Sequence, residues 1–96
     1  MQIDRDIIES SLPTKGFVRQ DSSHRYFYHE YHGKRTGAYT YTSHGSKYKA
    51  YSDSLFKVMR KQLRLDRVGE VTSLFLCPMD GESYNQILRA KGLLDE

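Results

Sequence analysis

The sequence predicts a single α+β domain in which a helix, a three-stranded antiparallel meander and a second helix are followed by additional C-terminal helices. Three observations predict it. Apolar residues recur at helical spacing before Pro13 and again after Ser54, and aromatic segments punctuated by turn residues lie between them. A length of 96 residues with 38% hydrophobic and 12% aromatic content suits one modest core that folds without staples.

Ile3, Ile7, Ile8 and Leu12 place a short helix over Asp4 to Leu12, with Asp4 and Asp6 complementing its N-terminal dipole and Pro13 ending it. Thr14-Lys15-Gly16 turns the chain into a brief strand, Phe17 to Gln20, and Asp21-Ser22-Ser23 turns it again. Arg25 to Tyr31 carries the longest strand signal. His24, Tyr26, Tyr28 and Glu30 share one parity and Arg25, Phe27, His29 and Tyr31 the other, and both sets are amphipathic, so the pattern does not say which is buried. His32 to Gly37 reads as a glycine-bounded loop and Ala38 to Ser43 as the third strand. A polar connection, His44 to Tyr51, leads to Ser52, which can cap a helix running to about Leu65. Its core stripe is Leu55, Phe56, Met59 and Leu63; Lys57, Arg60, Lys61 and Arg64 fall on another side. Val68, Val71, Leu74 and Phe75 keep helical spacing up to Pro78, although Val71 to Leu76 also has strand propensity. Asp80 caps a last helix, Glu82 to Lys91, with Tyr84, Ile87 and Leu88 inward and Gly92 as terminator.

Charge divides the chain. Residues 1 to 67 hold thirteen Lys/Arg against seven Asp/Glu, a balance of +6, whereas 68 to 96 hold two against five, a balance of −3. The first segment is the candidate for a polyanionic partner, and the second reads as an acidic helical extension packed on the same domain. A basic surface by itself serves solubility as readily as it serves a polyanion. No secretion signal or membrane span is expected, since the longest apolar run is Leu74 to Cys77. One cysteine, Cys77, closes no internal bridge and reads as a buried thiol in a reducing, cytoplasmic compartment. His24, His29, His32 and His44 lack the paired close spacing of a zinc site, so neither metal nor cofactor is expected.

The residues that carry chemistry sit around Ser22-Ser23-His24-Arg25. Imidazole titrates near neutral pH, so His24 can act as the general base that deprotonates a ribose 2′-hydroxyl. Arg25, Lys47 and the helix cations Lys57, Arg60, Lys61 and Arg64 can hold phosphate, Tyr26 or Tyr28 can stack an unpaired base, and the acid is left open among His44, His29 and a tyrosine. Tyr39, Tyr41, Tyr48 and Tyr51 read as half-buried packing rather than base platforms.

Four motifs in order, Lys15-Gly16-Phe17, Ser23-His24 entering an aromatic strand, Thr42-Ser43-His44-Gly45 and Ser52-Asp53-Ser54-Leu55, resemble the HicA family of toxin ribonucleases over residues 4 to 65. The resemblance implies a compact fold like that of double-stranded RNA-binding domains, with residues 1 to 67 as the RNA-binding and catalytic core, and a metal-independent mRNA interferase of a type II toxin–antitoxin pair. It further implies His24 as the catalytic histidine, mRNA as substrate, and a hetero-complex with a HicB-type antitoxin; the oligomeric state stays open. Ser22 stands where the family has glycine, Arg25 where a second histidine is common, and about thirty residues extend beyond the usual compact core. A non-catalytic RNA-binding module and a protein-interaction domain with a basic docking helix are the competing readings.

Overall fold

The computed structural model describes residues 1–45, 49–76 and 78–95. Strand β1 (Gln2–Asp4) runs into helix α1 (Arg5–Ser11) and a 3₁₀ turn (Leu12–Lys15). Strands β2 (Phe17–Asp21), β3 (Arg25–Tyr31) and β4 (Lys34–Thr42) form an antiparallel sheet in that order. A short strand β5 (Ala50–Ser52) pairs with β1 as a separate ribbon, and helices α2 (Asp53–Gln62), α3 (Val68–Leu76) and α4 (Gly81–Ala90) complete the chain. The mixed α+β class predicted from the sequence is therefore present, as a three-stranded sheet with four α-helices among the described residues. None of those helices is long and apolar enough to cross a membrane.

Alternation along β3 resolves into a buried and an open face. Phe27 and His29 are fully buried, as are Thr40 and Thr42 opposite and beside them on β4, whereas Tyr26 and Tyr28 point the other way, paired with Tyr41 and Tyr39. Three helices reach the buried face. Glu9 of α1 accepts from Thr42, Gln62 of α2 accepts from Thr40, and Asn85 of α4 meets His29. Ile8, Leu12, Phe27, Phe56 and Leu63 share one core with Val71, Leu74, Phe75, Tyr84 and Leu88, all at or near zero exposure. The acidic extension thus supplies a large part of the core, each such side chain contributing about 1.5–3 kcal/mol of burial.

Polar contacts add to this packing and order the extension. The Tyr84 hydroxyl donates to the Leu63 carbonyl at 2.7 Å, satisfying an acceptor just past the end of α2. Lys15 is buried and donates to the Leu74 carbonyl, a cation at the negative end of α3. Asp80 caps α4 by accepting from the Ser83 amide at 2.7 Å. Gly81 then lies so close to the 3₁₀ turn that a Cβ there would sit 3.2 Å from Lys15 Cα.

Several elements depart from expectation. Ala50 and Tyr51, read as connection, and Ser52, read as a helix cap, form β5 because the β1 segment offers them a partner. Pro13 occupies the first turn of the 3₁₀ segment, where its missing N–H removes no bond, and Gly16 in the left-handed region (φ 92°) reverses the chain instead. The expected loop at His32 to Gly37 is a two-residue turn, His32-Gly33, with both residues at positive φ, so β4 starts at Lys34. Gly37, also at positive φ (93°), marks a bulge in which Thr36 to Ala38 all lie opposite His29. Helix α2 ends at Gln62, and Arg64 lies beyond it in the left-handed region (φ 61°), so only Lys57, Arg60 and Lys61 of the four expected cations ride on the helix. The ambiguous segment after Val68 is helical, and α4 follows its predicted course within a residue at each end.

Candidate functional site

The turn Ser22 to His24 closes the β2–β3 hairpin by a bond from the Ser22 amide to the His24 carbonyl at 2.8 Å, which sets the His24 side chain on the open face of the sheet. Its imidazole lies half-buried, stacked on Tyr41 with ring centroids 4.8 Å apart at 21° and edge-on to Tyr26 at 6.1 Å. None of the described residues hydrogen-bonds either ring nitrogen. The ring is fixed by stacking while both nitrogens are left for a ligand, which is the state a general base needs.

Beside it a groove of about 260 Å³ runs between β4 and α2. His24 and Tyr41 make one wall, Leu55, Val58 and Met59 of α2 the other, and Ser43 and Gln62 contribute polar groups. Strand β4 places Tyr41 outward by alternation, and the buried Tyr51 hydroxyl accepts from the Ser43 amide at 2.9 Å, holding the floor. A second depression, lined by Lys57, Arg60 and Lys61, shares Val58 and Gln62 with the first, so cations of α2 flank the groove that holds His24. Lys57 and Lys61 are exposed; Arg60 is half-buried and donates to the Leu65 carbonyl at 3.0 Å.

Other expected site residues are placed differently. Arg25 points to the opposite face from His24, where its Nη1 donates to both carboxylate oxygens of Glu9 at 2.9 Å. Its charge is paired with Glu9 there, on the face away from His24. Burial alone would raise the Glu9 carboxyl, but hydrogen bonds from Thr42 and Arg25 and the charges of Arg25 and Arg19 outweigh it and hold Glu9 below the ordinary glutamate range. Tyr26 and Tyr28 do share the face of His24, yet they stack on each other at 5.7 Å and 12°. Arg35, on the hairpin side, lies over the Tyr28 ring at 3.9 Å, where it competes with a base for that face. Arg64 approaches Gly37 on β4, away from the helix cations. Lys47, with Ser46, Tyr48 and Cys77, falls outside the described residues.

Among the candidate acids, His44 is exposed and its Nε2 donates to the Ser22 carbonyl at 3.1 Å, bracing the turn that carries His24. Arg5 braces the same loop, donating to the Ser43 carbonyl at 2.8 Å and the Gly45 carbonyl at 2.5 Å. This role for Arg5, in a segment read only as helix, had no local signal. No three His, Cys, Asp or Glu side chains among the described residues gather where they could hold a metal ion.

His29 is excluded as an acid by burial. It packs between Phe17 and Tyr84, donates from Nε2 to Asn85 Oδ1 at 3.0 Å and accepts at Nδ1 from Thr36 at 2.9 Å. Burial pushes its pKa down, and the bond to Asn85 only partly opposes this. A depressed imidazole binds its proton in the unfolded chain first, so its contribution to stability is full above the unfolded value of 6.5 and is lost as pH falls through the folded value. Thermal melts between pH 7.5 and 5.5 should show the melting temperature falling with pH, and the slope should shrink in His29→Gln. An unchanged slope in that variant would assign the loss elsewhere; Glu9 titrates only below its ordinary 4.5.

Comparison of the chain with family models, with curated proteins and with solved structures finds no match.

Proposed function

We propose that the protein is a HicA-like endoribonuclease that cuts mRNA by general-base catalysis from His24 and is neutralised in the cell by a HicB-type antitoxin. The observation that carries this reading is an imidazole whose two nitrogens have no partner among the described residues, stacked in place at the mouth of a groove that adjoins a depression lined by the α2 cations. The order α1, β2, β3, β4, α2, with both helices reaching the same face of the sheet, supports the likeness to a double-stranded RNA-binding domain.

In this mechanism His24 takes the proton of a 2′-hydroxyl, the 2′-oxygen attacks the adjacent phosphorus, and the bond from phosphorus to the 5′-oxygen breaks. A 2′,3′-cyclic phosphate forms, and the leaving 5′-oxygen is protonated from solvent. Lys57 and Lys61 stabilise the charge that grows on the phosphoryl oxygens. Arg25 and Tyr28 have no part in it.

The test is incubation of the purified protein with single-stranded RNA in EDTA. Products ending in a cyclic phosphate are expected. Binding without product would identify a non-catalytic RNA-binding module, and absence of any salt-dependent RNA affinity would point to a protein-docking domain, because phosphate contacts weaken steeply as salt rises.

A further inference from the structure

The groove between β4 and α2 has a shape and polarity that phosphate binding does not use. Its walls are aromatic on one side and aliphatic on the other, while the cations that suit phosphate lie in the neighbouring depression. Two polar groups in it are uncommitted. The Ser43 hydroxyl is buried without a hydrogen-bond partner among the described residues. Gln62 spends its Oε1 on Thr40, and its Nε2 donates to none of the described residues. At about 260 Å³ the groove falls below the roughly 300–1,000 Å³ of sites for drug-sized ligands. It suits one flat heterocycle better than a whole nucleotide.

We infer that this groove is a subsite for a single unpaired nucleobase of the RNA, seated between Tyr41 and Val58 with its polar edge on Gln62 and Ser43, and that it selects the nucleotide next to the cleaved bond. The inference rests on the nuclease reading for its biological sense, though not for its chemistry. Charge complementarity commits the groove to this occupant. A base entering it leaves its own phosphate over Val58 and Gln62, the two residues shared with the depression of Lys57 and Lys61. The occupied groove also brings the ribose of that nucleotide to the rim where His24 stands.

Titrating isotope-labelled protein with each of the four 3′-nucleoside monophosphates, and separately with ribose 5-phosphate, tests the subsite without any cleavage. Saturable amide shifts at Tyr41, Leu55, Val58 and Gln62 are expected with the nucleotides, strongest for one or two of the bases, and absent with the sugar phosphate. Val58 is 52% exposed, so Val58→Trp can fill the groove from its rim without disturbing the core; it should weaken nucleotide affinity at least about tenfold, the loss of one good base contact. Equal shifts with ribose 5-phosphate, or full affinity in the Val58→Trp protein, would overturn the subsite. Base binding without RNA cleavage would uphold it and remove the nuclease, whereas RNA cleavage with a silent groove would remove the subsite alone.

Discussion

Alanine at His24 is expected to lower the single-turnover rate of RNA cleavage by about 10²- to 10⁴-fold, the range a positioned general base supplies. The fold should survive the change. His24 hydrogen-bonds none of the described residues through its ring, and what it contributes is stacking on Tyr41, worth about 0.5–1.5 kcal/mol beyond simple burial. A rate loss of two or more orders with a near-native melting curve therefore separates chemistry from structure in one variant. His24→Phe sharpens the comparison, because it keeps an aromatic ring on Tyr41 and removes only the nitrogens; it should be as inactive as alanine and at least as stable. If His24→Phe cuts RNA at the parent rate, the imidazole has no chemical role and the groove is a binding site only.

How far this site could be read in advance depends on the range of the forces involved. His24 was identifiable because a turn and a strand entry are local, written in Asp21-Ser22-Ser23 and the aromatic run after it. The helices α2, α3 and α4 were legible for the same reason, their apolar spacing and the Asp80 cap being properties of short windows. The face that Arg25 takes was not legible, because strand parity does not reveal which face is buried until a partner is known. That partner, Glu9, lies sixteen positions away on α1. His29 failed in the same way, its burial being decided by Asn85 of the last helix and by the bulge at Gly37. The glycine was noticed, but its positive φ serves a bulge rather than a loop end. Strands β1 and β5 are only three residues each and exist by pairing with each other across most of the core sequence, a signal no local window contains.

Removing the Glu9 carboxylate is expected to destabilise the fold while leaving the open face untouched. Glu9 accepts from Arg25 twice and from Thr42 at 2.6 Å, with its side chain 10% exposed and that of Arg25 24%. In Glu9→Ala the guanidinium loses its paired carboxylate while its Nε, already buried without a partner among the described residues, stays unsatisfied. Breaking a fully buried pair costs about 3–5 kcal/mol, and the remaining exposure of Arg25 reduces this to about 2–3 kcal/mol. For a chain of this length that lowers the melting temperature by about 10 °C or more. Because the folded carboxyl is held below its ordinary value, the stabilisation is present above pH 4.5 and is lost as pH falls through the folded value, so the parent and variant curves should converge in acid. Combining Glu9→Ala with Arg25→Met removes the stranded charge and should recover much of the loss. The single variant Arg25→Met then decides what Arg25 is for. A salt dependence of RNA affinity equal to the parent's places its charge in the fold, and a slope shallower by about 0.7 would return it to the phosphates of a single strand.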